Sequence, residues 1–83
     1  MINGLSLVKS SNYRYNILKT IGNEIKTPSE IANQLKIRLN HISMFLKELK
    51  ENKLVECLNE ETKKGRLYRL TRLGKDVINS IRK

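Results

Sequence analysis

The side chains best suited to chemistry in this 83-residue chain are cations, and they recur along its whole length. Seventeen Lys and Arg residues stand against eight Asp and Glu residues, which gives a net charge of +9 at pH 7. Such an excess favours a polyanionic partner, with nucleic acid ahead of an anionic membrane surface. The charge alone leaves open a highly charged soluble protein that has no such partner.

Other reactive side chains are too few for catalysis or for a metal site. His41 is the only histidine and Cys57 the only cysteine, which excludes an internal disulfide and a multi-cysteine zinc site. The sequence has no Ser-His-Asp set, no paired carboxylates in a pocket context and no glycine-rich phosphate loop. We therefore predict a protein that is not an enzyme and that needs neither a metal nor a cofactor.

The apolar residues are distributed as in a small globular protein. No apolar run approaches the roughly 20 residues that span a bilayer. The opening MINGLSLVKSS lacks the basic region and the long apolar region of a secretory signal. These features predict a cytoplasmic protein without a membrane partner. We expect an N-terminal arm over residues 1–9 and one domain over residues 10–83.

Two short helices begin the predicted domain. The first follows a cap at Ser10 or Ser11, carries an apolar stripe and ends before Gly22, which suits the position after a helix. The second has the clearest local signal in the chain, with Thr27 at the N-cap, Pro28 in the first turn and Glu30 at the third position. This combination predicts a capping box.

The stretch KIRLNHISMFLKELK, residues 36–50, predicts a third helix with two different faces. At about 100° per residue, one face is apolar and points to the core. It comprises Leu39, Ile42, Phe45, Leu46 and Leu49. The opposite face comprises Asn40, Met44, Lys47 and Glu51, with His41 and Ser43 on its flanks. Arg38 takes the cap position, although Asn40 is an alternative cap that would start the helix two residues later.

A β-hairpin and a fourth helix complete the pattern. Residues 54–58 and 66–70 alternate as strands around a polar loop that Gly65 closes, and a single bridge is expected at Lys26–Thr27. Thr71 can cap the last helix, and Gly74 in its first turn predicts a close approach to the hairpin. The fold class is therefore mainly α with a small β-hairpin (α+β). The order α1-α2-α3-β-wing-β-α4 is the winged helix-turn-helix arrangement.

The stretches TPSEIANQLKIRLNHISMFLKELKENKLV and KKGRLYRLTRLG resemble the prokaryotic winged-helix transcriptional regulators of the MarR/ArsR-like group. The opening SSNYRYNIL and the short wing resemble small archaeal members, and the likeness covers residues 10–83. It implies a transcriptional regulator that binds double-stranded DNA. The third helix (about 39–52) would lie in the major groove, and the basic wing (59–66) on the adjacent backbone or minor groove.

Carried over by position, the resemblance implies three sets of DNA contacts. The recognition helix would contribute Asn40, His41, Ser43, Met44 and Lys47. Phosphate contacts at the turn and at the start of the second helix would come from Ser29, Lys36 and Arg38. The wing would contribute Lys63, Lys64 and Arg66. Because Asn can bond both N6 and N7 of adenine, Asn40 favours A·T-rich sites.

Other interpretations remain open at this point. One is a winged-helix module that binds protein through the Leu39 and Met44 side of helix 3. Another is an architectural protein that binds DNA of any sequence. Surplus apolar residues, among them Leu5, Leu7 and Leu58, predict a homodimer through the N-terminal arm, helix 1 and helix 4. Packing of the arm and helix 4 within one monomer is the alternative.

Overall fold

Four helices and one antiparallel hairpin follow each other in the computed structural model, which describes residues 12–81, with side chains through residue 80. The elements are α1 (Asn12–Ile21), α2 (Pro28–Leu35), α3 (Leu39–Glu51), β1 (Val55–Cys57), β2 (Tyr68–Leu70) and α4 (Arg72–Ile81). This order confirms the predicted fold class. The predicted arm over residues 1–9 and the caps at Ser10 or Ser11 lie outside the described residues.

The start of α2 has the predicted capping box. Thr27 Oγ1 accepts a hydrogen bond from the Glu30 N–H at 3.2 Å, and Glu30 Oε1 accepts one from the Thr27 N–H at 2.9 Å. The bond from the Thr27 backbone is the main reason that the pKa of the Glu30 carboxyl lies below its ordinary value, with the Thr27 hydroxyl second. The local sequence therefore fixes where α2 begins.

The turn between α2 and α3 contains a left-handed residue. Lys36 has φ 59° and ψ 42°, and the Ile37 N–H bonds the Ala32 carbonyl at 3.1 Å. Arg38 is the N-cap of α3 and makes no side-chain cap bond. Because α3 begins at Leu39, Asn40 lies in the first helical turn, and the alternative in which Asn40 caps the helix is wrong.

A single apolar cluster joins α1, α2 and α3 to the hairpin and α4. Its residues with no exposed surface are Ile17, Leu18, Ile21, Ile31, Ile42, Leu46, Leu49 and Leu54. Leu39 does not belong to this cluster, since 49% of it is exposed. The prediction that Leu39 faces the core is therefore wrong. Helical Cβ atoms point toward the N-terminus, so the side chain of the first residue projects past the start of the helix.

The hairpin pairs Val55 with Leu70 and Cys57 with Tyr68. Tyr68 also forms the predicted isolated bridge with Lys26. The two backbone hydrogen bonds of this bridge have nitrogen-to-oxygen distances of 2.9 and 2.8 Å. The strands are shorter than predicted. The Leu67 N–H bonds the side-chain oxygen of Asn59 at 2.7 Å instead of a facing carbonyl, and this ends the ladder.

Two predicted features of α4 are confirmed. The Thr71 hydroxyl accepts the Gly74 N–H at 3.0 Å and donates to the Lys53 carbonyl at 2.6 Å, so Thr71 caps α4 and joins it to the end of α3. A Cβ at Gly74 would lie 2.1 Å from the Leu54 carbonyl oxygen, next to β1. Within residues 12–81, no helix is long and apolar enough to cross a membrane.

Candidate nucleic-acid interface

The outward face of α3 carries the five residues predicted for the recognition helix. Asn40, His41, Ser43, Met44 and Lys47 are all exposed. The core residues Ile42, Leu46 and Leu49 hold the opposite face against α1 and α2. The helical period therefore separates the packing residues of α3 from those that are available to a partner.

An open groove of about 740 Å³ runs along one side of α3 and is called the wing groove here. Its lining comes from α3 (Leu39, Ser43, Lys47, Lys50), from the start of α2 (Thr27, Pro28, Ser29) and from the hairpin (Lys63, Lys64, Gly65, Arg66, Tyr68). Six of the predicted contact residues meet in this groove. These six are Ser29, Ser43, Lys47, Lys63, Lys64 and Arg66.

A second groove, of about 400 Å³, lies on the other side of α3 and is called the turn groove. It is lined by Tyr13, Lys36, Ile37, Arg38, His41, Met44 and Phe45. Four predicted contact residues are in this set, and the rings of Tyr13 and Phe45 stack with centroids 5.8 Å apart. Asn40 lines neither groove and belongs to the ridge of α3 between them.

The wing is built on the side chains of Asn59 and Arg66. Asn59 accepts the Leu67 N–H and donates to the Gly65 carbonyl at 3.3 Å. Arg66 donates from Nε to the Thr62 carbonyl at 2.7 Å and from a terminal nitrogen to the Glu60 carbonyl at 3.3 Å. Arg66 therefore closes the wing loop, a role that the sequence did not reveal. Its predicted phosphate contact stays a prediction.

Ion pairs join α3 to the wing and to α1. Lys50 pairs with Glu60 of the wing. Arg14 of α1 bonds Glu48 through Nε at 2.6 Å and lies over the Phe45 ring, 5.5 Å from its centroid. The first pair positions the wing, and the second orients α3 against α1 and partly neutralises an acid beside the outward face.

Five of the cations that are predicted to contact DNA are free to bind phosphate. Lys36, Arg38, Lys47, Lys63 and Lys64 are exposed, and none of them forms an ion pair with a side chain of residues 12–80. Ser29 is exposed at the second residue of α2, where free N–H groups and the helix dipole favour an anion. The arrangement can hold two strands of a polyanion, one on either side of α3.

Sequence reasoning missed several groove residues. The helical projection predicts Leu39 for the core, the capping signal predicts only a cap at Thr27, and no pattern singles out Lys50. Leu39, Ser43, Lys47 and Lys50 follow each other at helical spacings of four, four and three residues, which could have identified the wing-groove side of α3. Tyr13 gave no such signal, because its ring meets the turn groove only through the tertiary packing of α1.

Solved structures with this fold include proteins from Lactococcus lactis, Halobacterium salinarum and Escherichia coli. Lactococcus lactis ZitR in complex with DNA is 27% identical over 83% of this chain and 48% of that chain, with a TM-score of 0.72. Halobacterium salinarum RosR is 25% identical over 86% of this chain and 69% of that one, with a TM-score of 0.78.

The oxidized form of Escherichia coli MarR gives a TM-score of 0.76 at 25% identity, over 92% of this chain and 55% of that one. This likeness confirms the resemblance to MarR-like proteins. The chain spans about half the length of the ZitR chains that it matches. Comparison with curated proteins gives no match. The winged helix-turn-helix family model matches residues 10–83, and the chain belongs to that family.

Proposed function

We propose that this protein is a DNA-binding transcriptional regulator that places α3 in the major groove and the wing on the adjacent backbone or minor groove. The observation that carries the proposal is the position of five cations that form no ion pair with the side chains of residues 12–80. Lys47, Lys63 and Lys64 line the wing groove, and Lys36 and Arg38 line the turn groove. The DNA complex of ZitR, which has the same fold, supports this use of the fold.

In this proposal, phosphate contacts supply most of the affinity and the ridge of α3 reads the bases. The five unpaired cations and Ser29 hold the two backbones. Asn40, His41, Ser43 and Met44 reach the base edges, and their chemistry suits A·T pairs better than guanine. Arg66 shapes the wing and can contact phosphate with its remaining N–H groups.

We further propose that residues 10–83 form one DNA-binding domain and that the protein is a cytoplasmic homodimer. The dimer would form through the N-terminal arm, α1 and α4. Leu73 of α4 is 47% exposed, which supplies apolar surface for such an interface. Two copies of α3 would then lie one helical turn of DNA apart, about 34 Å, on a near-palindromic site. Neither catalysis nor a metal is part of the proposal.

A protein-binding module is the second candidate, because Leu39 and Met44 are 49% and 58% exposed on α3. Leu39, however, shares its groove with five cations, a setting that favours an anionic partner over an apolar protein surface. Binding of DNA without sequence preference is the third candidate. It differs from the first only in whether the ridge of α3 discriminates bases.

Removal of single charges tests the first candidate. We expect Lys47→Ala and Lys64→Ala to weaken binding to a random duplex and to lower the slope of log K against log salt by about 0.9 each. Lys75→Ala, an exposed charge on α4 outside both grooves, is the matched control and should leave the slope unchanged. Equal binding by all three variants and the wild type would contradict the proposed interface.

Asn40→Ala separates specific recognition from architectural binding. On a site selected from a random library, we expect this variant to lose more affinity than on random DNA, whereas Lys64→Ala should weaken both DNAs alike. If Asn40→Ala also weakened both DNAs alike, α3 would not be reading sequence through that residue.

A further inference from the structure

Leu39 is an exposed apolar side chain in a cationic groove. It is the first residue of α3, 49% of it is exposed, and it lines the wing groove together with Lys47 and Lys64. Exposed leucines need no explanation when they are scattered over a surface. This one lies at the start of the proposed recognition helix, the end from which such helices contact base edges.

Leu39 begins a stripe along the groove side of α3. Ser43 and Lys47 follow at intervals of four residues, so the three side chains lie above one another over a helical rise of about 12 Å. A rise of that size matches about three to four base-pair steps. The stripe changes along its length from apolar, through hydroxyl, to cationic. It therefore offers a different chemistry to each step of a DNA strand in the groove.

Only one group in the major groove of B-DNA is apolar, and it is the C5-methyl of thymine. This methyl lies on the base edge that is nearest to the backbone of its own strand. If the wing groove holds a backbone through Lys63 and Lys64, the bases of that strand face the Leu39 and Ser43 side of α3. Leu39 then contacts the methyl-bearing edge of thymine, while Asn40 on the ridge of α3 faces farther into the major groove of the DNA.

We infer that Leu39 is a specificity-determining residue that contacts thymine methyl groups of the strand held in the wing groove. The inference rests on the proposed DNA-binding function and extends it from charge and hydrogen bonds to an apolar contact. Met44 of the same helix is also exposed. It lines the turn groove beside Phe45, about 140° around α3 from Leu39 at 100° per residue.

Uracil tests the contact, because it lacks only the methyl group and keeps the hydrogen-bonding edge of thymine. The probes are two 24-base-pair duplexes, one of alternating dA and dT and one of alternating dA and dU. We expect the wild-type protein to prefer the thymine duplex by about fourfold for each methyl contacted, the factor for burying one methyl-sized group. Leu39→Ala should lower this preference by about the same factor.

Two variants serve as controls. Leu39→Met keeps an apolar side chain of similar reach and should keep the preference, and Lys75→Ala, an exposed position on α4 outside both grooves, should keep it as well. Each preference is a ratio on the same two duplexes, so intrinsic differences between the DNAs cancel when proteins are compared. Circular dichroism and thermal unfolding should show that Leu39→Ala folds, since half of the side chain is exposed.

The outcomes separate the inference from the proposed function. Salt-dependent binding with no preference in the wild type overturns the Leu39 contact and leaves the DNA-binding function standing. A thymine preference that is undiminished in Leu39→Ala also overturns the contact. Absence of salt-dependent binding to either duplex overturns both.

Discussion

Of the three described glycines, Gly74 is the one at which a side chain has the least room. A Cβ there would lie 2.1 Å from the Leu54 carbonyl oxygen, and the obstructing atom is backbone that cannot turn away. Gly74→Ala adds about 1 kcal/mol of helix propensity, but it forces α4 away from the start of β1. We expect a net loss of about 1–3 kcal/mol in the free energy of unfolding, as for other overpacked sites.

Urea denaturation measures this change. Lys75→Ala, the next residue of α4, is exposed and should alter the free energy of unfolding by less than about 0.5 kcal/mol. A Gly74→Ala variant as stable as the wild type would show that α4 is not held against Leu54. The sequence predicted the close approach, because a glycine in the first turn of a helix otherwise costs stability.

At the same scale, Leu39 shows the limit of a helical projection. Its angle on α3 placed it at the edge of the core, and the exposed fraction of 49% contradicts that placement. A projection gives the direction of a side chain around the axis, but not whether a neighbouring element covers the end of the helix. Whether the start of α3 is covered depends on where α2 and the wing pack.

Among the elements, α2 has the start that is most strongly specified. Hydrogen bonds from Thr27 favour the charged form of Glu30 and lower its pKa below the ordinary value of 4.5. A lowered folded-state pKa means that the stabilisation is present above the unfolded pKa and is lost as the pH falls through the folded one. The capping box therefore predicts a contribution to stability that disappears in acid.

Glu30→Gln tests this dependence. The neutral amide can still accept the Thr27 N–H bond, so the variant should be less stable than the wild type at pH 7 and should approach it as the pH falls below 4.5. Thermal unfolding at pH 7 and at pH 3 measures both. A difference in stability that is the same at both pH values would show that the charge of Glu30 does not contribute.

The lengths of the wing strands and the contacts within the wing loop could not be predicted from the sequence. Alternation predicted both strands, and the pairing of Val55 with Leu70 confirms them. The lengths were overestimated, because the Asn59 side chain takes the Leu67 N–H and Arg66 folds back on the loop carbonyls. Both contacts join residues several positions apart in an irregular loop, where no periodicity signals them.

For the whole molecule, the helix order and two caps made the fold predictable, since α2 and α4 carried their own start signals and the apolar periods matched the elements. The candidate site was predicted less completely. The cations were found from charge and position, but their division between two grooves follows from how α1 and the wing flank α3. Distances across a fold are not encoded in the spacing of residues within one helix.

The oligomeric state is a prediction at this scale. We expect light scattering at tens of micromolar protein to give twice the mass of one chain, because Leu73 is 47% exposed and the sequence of the arm contains several apolar residues. Leu73→Asp should shift the mass toward the monomer without unfolding the domain, since Leu73 lies outside the buried cluster. A monomer mass for the wild type would contradict the proposed dimer.

Salt dependence of duplex binding tests the central claim most directly, because only neutralised phosphates make it steep. With Lys36, Arg38, Lys47, Lys63 and Lys64 on the backbone, log K should fall with log salt at a slope near −4.5 for each bound protomer. A flat response, or no binding to duplex DNA at low salt, would contradict the assignment of the two grooves to DNA.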